Sequence, residues 1–125
     1  MSAHLTITEP AFTASIAQAA EEVVVKLTGI GDSVAQRHFN AMFSELHSLV
    51  LQKRSNRVQV DIRELSFMNS SCIKEVIVWI EKVRKGSDAE KYSILFLSSS
   101  TQPWQRRTLG AITHFAKGVV GVEVT

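Results

Sequence analysis

Apolar residues recur along the chain with two different periods, and the places where one gives way to the other divide it into elements. From Glu22 to Thr28 the run Glu-Val-Val-Val-Lys-Leu-Thr is β-branched and meets Gly29 and Gly31, which predicts a buried strand closing in a turn. Beyond it Ala35, Phe39, Met42, Phe43, Leu46, Leu49 and Val50 fall at steps of three and four, one apolar face of a helix running to Lys53. Ser33 and Gln36 stand as a capping box at its start, with Asp32 beside them as a further acceptor for free helix N–H groups. After Ser55-Asn56 the period drops to two. Val58, Val60 and Ile62 alternate with Gln59, Asp61 and Arg63, and Leu65 and Phe67 continue this strand past a break at Glu64.

The cluster Asn69-Ser70-Ser71 opens a second helix whose stripe is Ile73, Val76, Ile77, Ile80 and Val83, ended by Lys85-Gly86; Val78 and Trp79 fall outside the stripe or on its edge. Ser93 to Leu97 reads as a strand and Ser98 to Thr101 as a turn. Pro103 then suits the start of a helix carrying Trp104, Leu109, Ile112 and Phe115, stopped at Lys117-Gly118 before a last strand, Val119 to Val124. The first twenty residues are mixed: Pro10 interrupts them, and Phe12 to Ala20 is expected to hold a short strand and then a turn or helical excursion. The succession β, α, β, α, β, α, β predicts an α/β fold with a mixed sheet of four to five strands, parallel pairs within it, and three to four helices on at least one face. In a doubly wound layout of this kind, ligand and partner sites collect at the C-terminal ends of the strands.

Composition narrows the function more than the fold. With 125 residues and 13.9 kDa, residues 1–125 are expected to form a single domain, a monomer or weak homodimer. Fourteen Lys and Arg against twelve Asp and Glu leave a net charge of +2 without any block of like charge, which argues against nucleic acid or anionic lipid as a partner. One cysteine, Cys72, allows no internal disulfide, and no secretory or mitochondrial leader pattern opens the chain, so a cytoplasmic location is expected. The apolar runs are far shorter than the roughly 20 residues that span a bilayer.

Catalytic patterns are missing. His38 and His47 are nine residues apart on one helix, beyond the reach of a shared metal ion, and no H-E-x-x-H or C-x-x-C occurs. Gly29-Ile30-Gly31 lacks the rest of a dinucleotide or phosphate-loop fingerprint and reads as a tight turn. A place in the first turn of a helix pushes the Cys72 thiol toward lower pKa, but no second cysteine or neighbouring histidine completes a redox or nucleophilic site. The chain is therefore expected to be no enzyme and to hold neither metal nor cofactor.

Asn69-Ser70-Ser71, where a strand ends and a helix begins, admits two readings. In one, Asn69 or a serine is the helix cap. In the other, a hydroxyl accepts a phosphoryl group, whose charge of about −1.5 to −2 sits favourably at the positive end of a helix. The stretch from Val60 to Ser71, Val-Asp-Ile-Arg-Glu-Leu-Ser-Phe-Met-Asn-Ser-Ser, resembles the signature of STAS domains, the anti-sigma factor antagonist fold of SpoIIAA and RsbV, in which a strand of type D-L-S-x-V-x-F-M runs into D-S-S-G-L at a helix start. Gly29-Ile30-Gly31-Asp32 is similar to the family's G-x-x-D, and the order of elements agrees over nearly the whole chain.

This resemblance implies a non-enzymatic switch protein of a bacterial partner-switching pathway. Carried over by motif, Ser70 is the phosphate acceptor, Ser71 an auxiliary hydroxyl or cap, and Asp32 part of the docking surface. The implied partners are an anti-sigma-type serine/threonine kinase and an opposing PP2C-type phosphatase. Asn69 stands where the family has aspartate and Cys72 where it has glycine, and Asn-Ser-Ser-Cys-Ile is similar to the N-T-S-S-I of SiaC-type regulatory phosphoproteins, whose unphosphorylated form binds a diguanylate cyclase. Asn69, Ser71, Cys72 and Lys74 border the acceptor in sequence and join the expected partner surface. Val78 and Trp79 are either a docking patch beside Ser70 or cover for the core edge, while Trp104, Arg106 and Arg107 are either a solvated face or a site for a partner's acids or the phosphate of Ser70. The alternatives are an unphosphorylated scaffold or oligomer subunit of stressosome kind, or a module that binds a nucleotide or small ligand.

Overall fold

A computed structural model describes residues 2–125. The N-terminal segment is a β-hairpin: β1 (Ser2–Glu9), a strand the mixed pattern did not predict, turns at Pro10-Ala11 into antiparallel β2 (Phe12–Ala19), the expected strand, which is followed by a turn at Ala20-Glu21 and not by a helical excursion. The period-two signal of β2 is carried by Phe12, Ala14 and Ile16, all buried, and the small side chains among them hide it from a hydropathy reading. There follow β3 (Glu22–Gly31), α1 (Ser33–Lys53), β4 (Arg57–Met68), α2 (Ser70–Arg84), a 3-10 turn (Asp88–Glu90), β5 (Ser93–Ser98), α3 (Pro103–Phe115) and β6 (Val120–Val124).

All six strands form one sheet in the order β1-β2-β3-β4-β5-β6, antiparallel from β1 to β3 and parallel from β3 to β6. The hairpin thus raises the strand number above the four to five expected. The doubly wound layout is also corrected, because the strand order never reverses: right-handed crossovers that advance in one direction carry their helices to one face of the sheet. Burial agrees with this. Across the parallel strands the rows Val23–Val58–Ile94–Val120 and Val25–Val60–Phe96 are buried, whereas the rows Val24–Gln59–Leu95 and Lys26–Leu97–Glu123 of the other face keep partial or full exposure. On that open face Asp61 is covered by Arg63, whose guanidinium donates to both carboxylate oxygens at 3.0 and 2.9 Å and holds the carboxyl below its usual range.

Helix α1 buries all seven residues of its periodic face. Its cap is Asp32 rather than the Ser33 and Gln36 box: Asp32 Oδ1 accepts from the amides of Val34 and Ala35 at 3.0 and 3.3 Å. Helix α2 is rotated from the expected stripe. Cys72, Val76, Trp79, Ile80 and Val83 are buried, while Ile73 and Ile77 are only partly covered.

Trp79 is 2% exposed and stacks on Phe43 with ring centroids 4.8 Å apart. Its indole N–H donates to the Tyr92 hydroxyl at 2.9 Å, and that oxygen lies 2.7 Å from His47 Nδ1. Burial pushes the Tyr92 hydroxyl up and His47 down, so the packing favours the uncharged form of both groups. In α3 the expected Phe115 lies 40% exposed beneath the Arg84 guanidinium, and Gln105 takes a core position with Leu109 and Ile112.

Candidate functional site

The C-terminal ends of β3 and β4 lie side by side, with Gly31 paired to Met68, and each runs directly into a helix. Two helix N-termini therefore sit next to one another, and each is capped from its own junction. Asn69 Oδ1 accepts from the amide of Cys72 at 2.8 Å, and the amide of Asn69 donates to Gly31 O at 2.8 Å, tying the two junctions together. A side chain at Gly31 would bring its Cβ within 3.1 Å of Phe67 O, so glycine permits this approach.

Of the two readings of Asn69-Ser70-Ser71, the cap belongs to Asn69. Ser70 and Ser71 are thereby free of capping duty, and both are exposed. The first intrahelical bond of α2 runs from the Ile73 amide to Asn69 O at 3.0 Å, so the N–H groups of Ser70 and Ser71 precede the hydrogen-bonded ladder. Lys74 and Val78 continue the exposed side of α2 from Ser71 at helical spacing.

Two of the expected surface residues are inside. Cys72 is fully buried, its Sγ 3.5 Å from Gly31 O and 3.6 Å from Asp32 O, and burial together with the nearby Asp32 carboxylate pushes its thiol up to about 11. This is opposite in sign to the first-turn effect, because desolvation of the thiolate outweighs the helix dipole. Native protein is expected to react with a disulfide reagent at pH 8 at least ~100-fold more slowly than protein in denaturant. Equal rates in the two states would show that Cys72 is accessible. Trp79, the second, belongs to the core described above and offers no docking surface. Asp32 and Asn69 are half-buried as caps.

The start of α3 is bound to the strand that leads into this junction. β5 pairs with β4 only as far as Asp61–Leu97, which leaves the later carbonyls of β4 without a strand partner on that side. Gln105 Nε2 donates to Ile62 O at 2.6 Å and Leu65 O at 3.0 Å, Gln105 Oε1 accepts from the Ser99 amide at 3.0 Å, and Trp104 Nε1 donates to Leu65 O at 3.1 Å. Trp104 is therefore half-buried and positions the helix, while Arg106 and Arg107 are exposed and have no ion-pair partner among the described residues.

Sequence reading missed two residues of this surface. β4 holds one extra residue against β3 between Lys26 and Thr28, and another between Gly29 and Ile30. The second bulge turns both Ser66 and Phe67 outward, so that Phe67, 49% exposed, faces its partner Ile30, 41% exposed. Strict alternation would have put Phe67 on the core face with Leu65. The hairpin turn borders them: Ile30 N donates to Ala11 O at 2.7 Å, and Gly29, at φ +92°, lies so close to Ala11 that a Cβ would fall 2.2 Å from its carbonyl oxygen.

No family model matches the chain, and no curated protein sequence matches it. Its fold is nevertheless shared with solved structures. The crystal structure of an anti-sigma factor antagonist from Mycobacterium paratuberculosis agrees with a TM-score of 0.60 at 14% identity, over 89% of this chain and 88% of that one. SpoIIAA, an anti-sigma factor antagonist in its unphosphorylated form, agrees with a TM-score of 0.57 at 19% identity, over 90% of this chain and 86% of that one.

Proposed function

We propose that this chain, which carries the fold of the anti-sigma factor antagonists, is a phosphorylation-controlled protein-binding switch with Ser70 as its phosphate acceptor. The observation that carries the proposal is an exposed Ser70 hydroxyl, released from capping by Asn69, three residues beyond Phe67, which is exposed together with its strand partner Ile30. Two large apolar side chains exposed as a pair, Ile30 and Phe67, favour a protein partner over solvent. A phosphoryl group at Ser70 would leave the fold intact, since Ser70 makes no buried contact and the positive end of α2 favours the added charge. It would also place about −1.5 to −2 charge at the rim of an apolar contact, where desolvating it is costly.

In this reading the unphosphorylated form binds its partner, an anti-sigma-type serine/threonine kinase or a diguanylate cyclase, and phosphorylation releases it. A PP2C-type phosphatase restores the binding form. The likeness to SpoIIAA, described in its unphosphorylated form, supports a cycle of this kind. Asp32 acts behind the surface, holding α1 against the Ser70 junction, and Ser71, Lys74 and Val78 extend the contact along α2.

The test is phosphate transfer and partner affinity together. With the kinase encoded beside its gene and ATP, wild-type chain is expected to gain the mass of one phosphate and Ser70→Ala none. Ser70→Ala should bind the unphosphorylated form's partner as wild type does, Ser70→Asp at least tenfold more weakly, and Phe67→Ala weaker by ~1–2 kcal/mol. Equal affinity of all three variants for every partner would remove the switch and leave a constitutive scaffold.

A further inference from the structure

At the far side of the sheet β6 has, among the described residues, a strand neighbour on one edge only, β5. In an extended strand successive peptide groups point to opposite edges. Thr125 pairs toward β5, its amide donating to Ser98 O at 3.0 Å and its carbonyl accepting from Ser100 N at 2.9 Å, so the same alternation turns the N–H and C=O groups of Val124 and Val122 toward the free edge. A strand edge of this kind is a template for another chain. Sheets usually guard such an edge with lysine, proline or a bulge, and β6, Val-Gly-Val-Glu-Val, has none of the three.

Beside this edge a groove of about 980 Å³ runs between β6 and the outer side of α3. Its apolar surface comes from Val122 and Val124, the last 62% exposed, and cationic or titratable groups on its walls are Arg106, His114 and Lys117. Among the described residues no Asp or Glu lines it. Glu123, the acid of β6, belongs to the row of Lys26 and Leu97 on the opposite face.

The geometry points to a second protein-binding site, in which an extended acidic segment of a partner protein adds a seventh strand beside β6. Its backbone pairs with the free groups of Val122 and Val124. Alternate side chains of the segment would be apolar and lie on Val122 and Val124 beside α3, with acidic residues flanking them to meet Arg106 and Lys117. Strand addition draws affinity from main-chain hydrogen bonds and selectivity from alternate side-chain pockets, and the edge and the groove supply these separately. The cations select an acidic segment over a basic one.

Three variants separate the parts of this site without touching the core or Ser70. Val122→Pro removes an N–H that bonds to no other strand, a change that sheet edges tolerate. Gly110→Trp fills the groove from α3 at a position where an added Cβ meets nothing within 4 Å, and it replaces the weakest helix former apart from proline. Arg106→Glu with Lys117→Glu reverses the charge. The probe is a fluorescein-labelled peptide of alternating Val and Glu, capped at both ends, with a Val and Lys peptide as its counterpart.

The Val and Glu peptide is expected to bind wild type with Kd below about 1 mM, and the Val and Lys peptide at least tenfold more weakly. Each of the three variants should weaken the acidic peptide at least tenfold while keeping the wild-type thermal midpoint within ~3 °C. Absence of binding, or equal binding of the two peptides, overturns the proposal. So does full retention of binding by Val122→Pro, which would mean a ligand that fills the groove without pairing to β6, as decanoate would. Self-association lost in Val122→Pro with no peptide binding would assign the edge to a second copy of the chain instead, and overturns it equally. Since none of the variants alters Ser70, their outcome stands apart from that of the phosphate-transfer test.

Discussion

Trp79→Ala is expected to lower the free energy of unfolding by about 4 kcal/mol, the cost of a large cavity in a closely packed core. Three losses combine in that figure. The ring leaves the stack with Phe43 in the aromatic series Phe12, Phe39, Phe43 and Trp79, it withdraws the donor to Tyr92, and it opens α2 from α1 where the two helices meet. Without the indole, Tyr92 keeps its bond to His47, so the hydroxyl is not orphaned and the cavity dominates. Thermal unfolding should show a midpoint lower by roughly 10 °C or more, and denaturant unfolding an unchanged slope if the denatured state is unaltered. A loss under about 0.5 kcal/mol is what a surface tryptophan gives and would refute the packing described here. Val78→Ala, one residue earlier on the exposed side of α2, serves as the control: it should leave stability within ~0.5 kcal/mol while weakening any partner that uses this face.

The second large effect is expected at Gln105, a buried polar residue whose two amide ends serve three backbone groups on β4 and at the end of β5. Gln105→Met keeps nearly the same volume and removes every one of these bonds. Leu65 O retains Trp104 Nε1, but Ile62 O and the Ser99 amide lose the partners that Gln105 supplied. Unsatisfied buried groups cost about 1–3 kcal/mol each, so a loss near 3 kcal/mol is anticipated by chemical denaturation. Hydrogen exchange adds a more specific readout. The Ser99 amide and those of the turn that follows should exchange faster relative to the amides of the β3–β4 ladder, because Gln105 Oε1 is the acceptor that holds the Ser99 amide. Uniform acceleration across the sheet would point to simple global destabilisation instead. A stability within about 0.5 kcal/mol of wild type would show that water replaces the amide without cost.

How far these features are legible in the sequence differs from residue to residue. The period of α1 needed no structure, since Ala35 to Val50 repeat one apolar face and every one of those residues is buried. Asp32 and Ser33 were harder. Either can cap a helix, and the geometry of the chain leaving β3 gives the role to Asp32. At the next junction the same ambiguity among Asn69, Ser70 and Ser71 was resolved in favour of Asn69, and that choice leaves Ser70 available. Trp79 misled because α2 lies between a sheet and α1. A helix packed on two sides buries a wider arc than a single stripe, which brings Cys72 and Trp79 into the core and leaves Ile73 half-exposed. Phe67 misled for another reason, since a bulge breaks the strict alternation on which its assignment to the core face depended.

Local signals, which depend on neighbours along the chain, determined the α/β succession, the helix boundaries and the strand-to-helix junction at Asn69-Ser70-Ser71. They are strong because backbone hydrogen bonding and side-chain period impose the same pattern wherever an element forms. The tertiary structure alone decided which residues of those elements face solvent, and with them the function each is able to serve. It bulged β4 to expose Phe67 beside Ile30, buried Cys72 and Trp79, made Gln105 the bond between α3 and β4, and left the edge of β6 open beside a cationic groove. These outcomes depend on register and on contacts between residues far apart in sequence, where burial is set by what packs above a side chain and not by the side chain itself.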